Sequence, residues 1–198
     1  RYDVALDLQG LTKSAVLAAA SGARVRLGYN WLRELAPLLE RRIPRRPESL
    51  HIVDQLLDVA RTLGAEPSEV RFPLGINGED DESAMAKLRT AGIEPTEPFV
   101  VLNPTDGGGG GDKGLLPEVM AGVIEAVSRR ASVPWVLVGS AGDRPRAEQV
   151  IAKTTLPLHS IVGQTSVREL ASVIRMASVH VSGDSGSAHI AAAVGTPP

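Results

Sequence analysis

The sequence predicts an α/β fold built on parallel sheets, and three observations predict it. Short apolar strands alternate with helices of roughly 10–15 residues, most regularly in the second half of the chain. Strands such as "FVVLNP" and "VPWVLVGS" are apolar on both faces, as strands covered by helices on both sides must be. Small polar and glycine-rich loops follow the strands, at the carboxyl edge where open α/β sheets bind ligands.

In order, "YDVALDLQG" reads as a buried strand turning at Gly10, and "LTKSAVLAAASG" as an alanine-faced helix stopping at Gly22. "RVRLGYN" is strand-like. Residues 31–46 read as partly helical, interrupted by Pro37 and Pro44. "SLHIVDQLLDVARTLGAE" is an amphipathic helix with Ile52, Leu56, Val59, Ala60 and Leu63 on one face, ended by Gly64. "VRFPLGI" reads as a strand. Residues 80–92 form a helix with acids in its first turn, where the helix dipole favours them. The prolines of "IEPTEP" mark the expected linker, so the domains are expected at 1–93 and 94–198. Beyond it come the strand "FVVLNP", a glycine loop, the helix "LPEVMAGVIEAVSRR", the strand "VPWVLVGS" and the helix "RPRAEQVIAKT". "HSIVG", "SVRELASVIRMA", "SVHVSGD" and "SAHIAAAVG" repeat the alternation.

Composition narrows the chemistry. Formal net charge is −2 over 198 residues, which gives no global field toward nucleic acid. With no cysteine there is no disulfide, thiolate metal site or cysteine nucleophile, in keeping with a reducing cytoplasm. Apolar stretches fall short of the roughly 18 residues that span a bilayer, so a soluble protein is expected.

Three clusters carry candidate chemistry. In "VSGDSGSAHIAAAVG" a strand gives way to a helix that Asp184 or Ser185 would cap. The amides from Ser185 to Ala188 would then face an anion, with Gly186 allowing close approach and His189 on the same rim. A capped helix with a solvated histidine is the plainer alternative. In "NPTDGGGGGDKG" Lys113 is placed to neutralise a phosphate, but Gly114 follows it, so the segment is not a P-loop. A flexible surface loop is the alternative there. Residues 24–46 hold seven arginines against two glutamates, suited to an acidic acceptor or to a solvated face. His51, His159 and His180 are not at metal-ligand spacing, and Gly-x-Ser-x-Gly does not occur.

Together, "YDVALDLQGLTKSA", "RLGYNWLRELAPLLERR", "HIVDQLLDVARTLGA", "FVVLNP…DKGLLPE", "VLVGSAGDRPRAE", "GQTSVRELASVI" and "VSGDSGSAHIAAAVGTP" resemble the bacterial lipopolysaccharide heptosyltransferases of glycosyltransferase family 9. The most specific element is Asp-Ser-Gly-x-x-His with the following Ala-Ala-Val-Gly-Thr-Pro, and "WLRE" leans toward the heptosyltransferase I branch. The resemblance implies a GT-B fold: two Rossmann-like domains facing across a cleft, acceptor on the first and nucleotide sugar on the second, here expected to be a fragment incomplete at both ends. It implies inverting transfer of heptose from ADP-L-glycero-D-manno-heptose to the Kdo/heptose inner core on lipid A, without metal or added cofactor. Asp184, Ser185, Gly186 and His189 match the donor motif and Lys113 the phosphate-contacting lysine. Thr105 is also expected at the donor, with Asp143 and Thr165 at the nucleoside. Lys13, Arg33, Arg41 and Arg42 fall on the acceptor side. The family's catalytic base is expected upstream of residue 1. Asp3, Asp7 and Asp184 are not substitutes for it. A cytoplasmic protein is implied, with contact at the inner face of the inner membrane and no nucleic-acid partner. The run Gly107–Gly111, and Gly114-Leu115 where the family has an aromatic, depart from the pattern. The alternatives are a GT-B enzyme with another nucleotide sugar, or a non-catalytic nucleotide-sugar-binding module.

Overall fold

The computed structural model describes residues 2–66, 70–105 and 115–198. Two compact units divide between Val70 and Arg71.

The first unit runs β1 (Val4–Asp7), α1 (Thr12–Ala20), β2 (Val25–Tyr29), α2 (Ala36–Leu39), β3 (Arg41–Ile43), α3 (Ile52–Thr62). Its three strands are all parallel, in the order β1-β2-β3. Alternation along β2 sends Leu27 and Tyr29 to one face, where they pack with Ile43 and Val59 of α3. Ala15 of α1, Leu32 and Ala36 of α2 form a second cluster. The Tyr29 hydroxyl donates to Asp58 at 2.9 Å, and Ser49 Oγ donates to the same carboxylate at 3.0 Å, tying α3 to the sheet.

Three expectations for this unit change. Residues 41–43 are a strand, not part of a helical stretch: Glu40 turns extended after α2, and pairing with β2 captures the segment. The apolar stripe of α3 is buried only at Val59, because Asp58 turns inward to its polar partners and leaves Ile52, Leu56 and Leu63 exposed. Val4 and Leu6 of β1, the outermost strand of this sheet among the described residues, and Leu8 in the turn after it are exposed.

The second unit runs α4 (Gly78–Thr90), β4 (Val100–Leu102), α5 (Pro117–Ser128), β5 (Trp135–Leu137), α6 (Arg144–Ile151), β6 (His159–Ser160), α7 (Val167–Met176), β7 (Val179–Val181), α8 (Gly186–Val194). The sheet order is β6-β5-β4-β7, again all parallel. One face packs Val101, Val136 and Val138 against Leu88 of α4, Val173 and Ile174 of α7 and Ala191 of α8. The other packs Val100, Leu102, Trp135 and Leu137 against Met120 and Ile124 of α5 and Val150 of α6. This is the both-face burial that the all-apolar strands predict.

The division of units lies upstream of the linker expected at 93/94. Helix α4, which the sequence reading gave to the first domain, docks on α7 of the second. Asp81 accepts from Ser172 and from Arg175, and Glu169 accepts from Ser83 and Lys87. The segment "VRFPLGI" is not a strand: residues 70–76 have no regular structure, Val70 and Phe72 are exposed, and Pro73 has no amide to give a ladder.

Candidate functional site

All four strands of the second unit point their carboxyl ends to one edge. The chain passes from β4 outward to β5 and β6, then returns to place β7 on the other side of β4. Between β4 and β7 the neighbouring loops therefore diverge, and such a switch point is where open α/β sheets form a binding crevice.

The loop after β7 leads straight into α8. Ser185 is the residue before the helix, buried and extended, yet its hydroxyl makes no cap bond. It pairs instead with Ser187 Oγ at 2.9 Å and Ser182 Oγ at 3.3 Å. The first turn of α8 thus keeps amides and positive dipole that no side chain has taken. Gly186 is exposed, and a Cβ there would meet nothing within 4 Å, so a ligand can approach the backbone closely. Asp184 and His189 are both exposed and lie 4.0 Å apart at the rim.

The loop after β4 is held to the same place. Asn103 donates through Nδ2 to Ser187 Oγ at 2.9 Å and accepts at Oδ1 from the amide and hydroxyl of Thr105. Thr105 therefore sits next to the start of α8. Lys113 and the glycine run lie outside the described residues.

Asp143 and Thr165 lie in the loops after β5 and β6. Asp143 ends the one-turn 3-10 segment Ala141–Asp143 and accepts from the Ser140 amide at 2.7 Å and hydroxyl at 2.8 Å. The two loops touch at Gly163, whose amide donates to Gly139 O at 2.9 Å. Gly163 has φ +74°, and a Cβ there would stand 2.8 Å from Ala141 Cα, so only glycine permits this approach. Thr165, half-buried, follows this junction.

In the first unit, Lys13 and Arg33 lie in neighbouring segments at the carboxyl edge. The Arg33 amide donates to Gly10 O at 2.8 Å, and Leu35 N donates to Thr12 Oγ1 at 3.2 Å. Glu34 accepts from the Thr12 amide at 3.2 Å, and the Thr12 hydroxyl, with that amide second, holds its carboxyl below the usual range. Arg41 and Arg42 do not gather at one point with them. As successive residues of β3 they point to opposite faces of the sheet. Asp7 is taken up structurally: it accepts from Gln9 N, Gly10 N and Ser14 Oγ, closing the loop after β1.

Sequence reasoning missed the polar groups behind the site. His180, in the middle of β7, is 1% exposed and bonds Ser187 Oγ through Nε2 at 3.0 Å. A histidine at the centre of an otherwise apolar strand was the available signal.

The model of glycosyltransferase family 9 (heptosyltransferase) matches residues 1–198. The lipopolysaccharide core heptosyltransferase OpsX of Haemophilus influenzae is 24% identical over 209 residues, covering 100% of this chain and 56% of that protein. A family 9 glycosyl transferase structure from Veillonella parvula matches with TM-score 0.75 at 20% identity, over 98% of this chain and 55% of its own. The ADP-heptose lipopolysaccharide heptosyltransferase II of E. coli gives 0.67 at 21%, over 100% and 61%. E. coli heptosyltransferase WaaC with ADP gives 0.61 at 22%, over 100% and 59%. The fold is therefore the GT-B type of these proteins, and the chain spans somewhat over half of their length.

Proposed function

The chain belongs to glycosyltransferase family 9 (heptosyltransferase), and from that premise we propose that its second unit binds the diphosphate of an ADP-heptose. In this reading the whole protein transfers the heptose to the anionic inner core of lipopolysaccharide. The observation that supports it is the uncapped first turn of α8 at the β4/β7 switch point, joined to the loop after β4 through Asn103 and Ser187.

Inverting transfer forms a bond from an acceptor hydroxyl oxygen to the anomeric carbon and breaks the bond from that carbon to the diphosphate. The hydroxyl proton passes to a base, and negative charge develops on the departing ADP. The α8 amides and Lys113 meet that charge in this proposal, Asp143 and Thr165 flank the nucleoside, and no metal is required. Lys13 and Arg33 attract the carboxylates and phosphates of the acceptor. None of the helices among the described residues is long and apolar enough to cross a membrane. In this reading the lipid-linked acceptor is met from the cytoplasmic side, at the inner membrane surface.

Turnover by the full-length protein with ADP-heptose, against UDP- and GDP-sugars, tests the substrate. Activity with one of the latter alone would remove ADP-heptose as donor. Substitution Lys113→Ala is expected to weaken donor binding about tenfold or more, the scale of a lost charge-assisted contact. Retained affinity would remove that residue from the site.

A further inference from the structure

We propose that Asn103, His180 and Ser187 form a buried hydrogen-bond relay that positions the donor site, holding the Ser185 hydroxyl away from the helix cap and the Thr105 loop against α8. The proposal rests on the donor reading above for its ligand, and on packing alone for its geometry.

Ser187 Oγ is the hub, with Asn103 Nδ2 at 2.9 Å, His180 Nε2 at 3.0 Å and Ser185 Oγ at 2.9 Å. A hydroxyl has one hydrogen to give and two lone pairs to receive, so the three contacts fix one another. Asn103 must donate, because its Oδ1 already receives both Thr105 groups. Ser185 donates to Ser182 Oγ, and Ser182 donates to Gly183 O at 2.9 Å. Ser187 therefore gives its hydrogen to Ser185 and receives one from His180. The relay runs His180 Nε2–H, Ser187, Ser185, Ser182, Gly183 O. It leaves His180 Nδ1 a bare lone pair, the one buried ring atom here without a partner among the described residues.

That direction suits a neutral imidazole. A second N–H at Nδ1 would be buried without an acceptor, and burial pushes His180 down to about 4. The relay therefore stands unchanged across neutral pH. Its effect is on Ser185. A serine at this position ordinarily turns its oxygen onto the amides of the first turn. Here that hydroxyl is drawn to Ser182 and Ser187 and makes no cap bond. Of the first-turn amides only that of Ala188 is taken among the described residues, by Ser185 O at 3.1 Å, which leaves those of Gly186 and Ser187 to a ligand. Because Asn103 reaches the same hub from β4, the two sides of the switch point are fixed as one surface.

The test uses the full-length protein. Ser187→Ala and Asn103→Ala are each expected to weaken ADP binding and raise donor KM about tenfold, the scale of one buried hydrogen bond. Acceptor KM should stay within about twofold. Because both residues serve one hub, the double substitution should weaken ADP binding by clearly less than the product of the two single effects. His180→Gln, which keeps a donor near Nε2, should bind ADP like the wild type, whereas His180→Leu should not. Wild-type affinity in folded Ser187→Ala and Asn103→Ala, or equal losses for donor and acceptor, would overturn the proposal. Should the wild type bind no ADP, the donor reading fails, and amide exchange decides the relay by itself. Faster exchange at Thr105 in Ser187→Ala sustains it, and unchanged exchange refutes it.

Discussion

Glu40 lies over Gly28, with its Oε2 2.7 Å from where a Cβ at position 28 would stand. Glu40 is buried, no amide, hydroxyl or cation among the described residues hydrogen-bonds its carboxyl oxygens, and the Asp7 carboxyl is the group beside it that can take up its proton's bond. Gly28 pairs in register with Asp7 of β1, so two acids sit side by side beneath α1 and α2. A side chain at position 28 would also meet Leu32 Cδ2 at 2.4 Å. Gly28→Ala is therefore expected to destabilise the chain by about 1–3 kcal/mol, the usual range for overpacking. Denaturant unfolding measures it, and an unchanged midpoint would contradict the contact.

The same acid pair sets a pH dependence. Burial pushes Glu40 up to about 7, and the Asp7 charge pushes the same way, with Arg26 opposing. Burial also works to raise Asp7, but bonds from Gly10, Ser14 and Gln9 outweigh it and hold Asp7 below its ordinary value. Glu40 thus keeps the proton and Asp7 the charge. Because the folded chain binds that proton more tightly than the unfolded one, whose carboxyl titrates near 4.5, the stability is whole below about 4.5. It falls as pH rises through about 7, by up to roughly 3 kcal/mol. Thermal unfolding should give a lower Tm at pH 8 than at pH 5.5, and Glu40→Gln should remove the difference. A wild-type Tm independent of pH over this range would show that the pair does not hold the proton.

Glu169 has the opposite sign. Bonds from Lys87, then Ser83 and the Ser166 amide, bring it down to about 2 against the opposing effect of burial. Its contribution is present above the unfolded value of 4.5 and is lost as pH falls toward 2. Glu169→Ala should loosen α4 from α7 by about 1–3 kcal/mol, since it leaves Lys87 and Ser83 without their acceptor. Amide exchange across Gly78–Thr90 should accelerate while that of β4 and β5 does not. Uniform exchange changes would mean that α4 is not a separable element.

The arginines separate by geometry. Arg33→Ala is expected to raise acceptor KM about tenfold with donor affinity intact. Arg41 and Arg42 face opposite sides of the sheet, so at most one of the two single substitutions should act on the acceptor. Equal effects from both would require a broader acceptor surface than one face of β3 offers.

Metal removal gives a further check. If amides and Lys113 meet the charge of the leaving diphosphate, transferase activity should survive dialysis against EDTA. Loss of activity restored by Mg²⁺ would assign that work to a metal.

The sequence by itself determined the layered architecture of the second unit. The apolar runs at Val100–Leu102 and Trp135–Leu137 cannot be solvated on either face, and the helix periods between them supply the covers. It also determined where α8 begins, since small polar residues after a strand leave little else for the backbone to do. Tertiary structure decided what local pattern leaves open. Residues 41–43 became a strand because β2 offered a ladder, and "VRFPLGI" did not because it joins no strand ladder among the described residues. Helix α4 joined the second unit through Asp81 and Glu169, whose partners lie more than 80 residues away in sequence. The open start of α8 is of the same kind. Ser185 looks like a cap, yet its hydroxyl bonds Ser182 and Ser187, and Ser187 is itself held by His180 of β7 and by Asn103 in the loop after β4. Which acceptor a hydroxyl meets depends on distances across the fold, and spacing along the chain does not carry them.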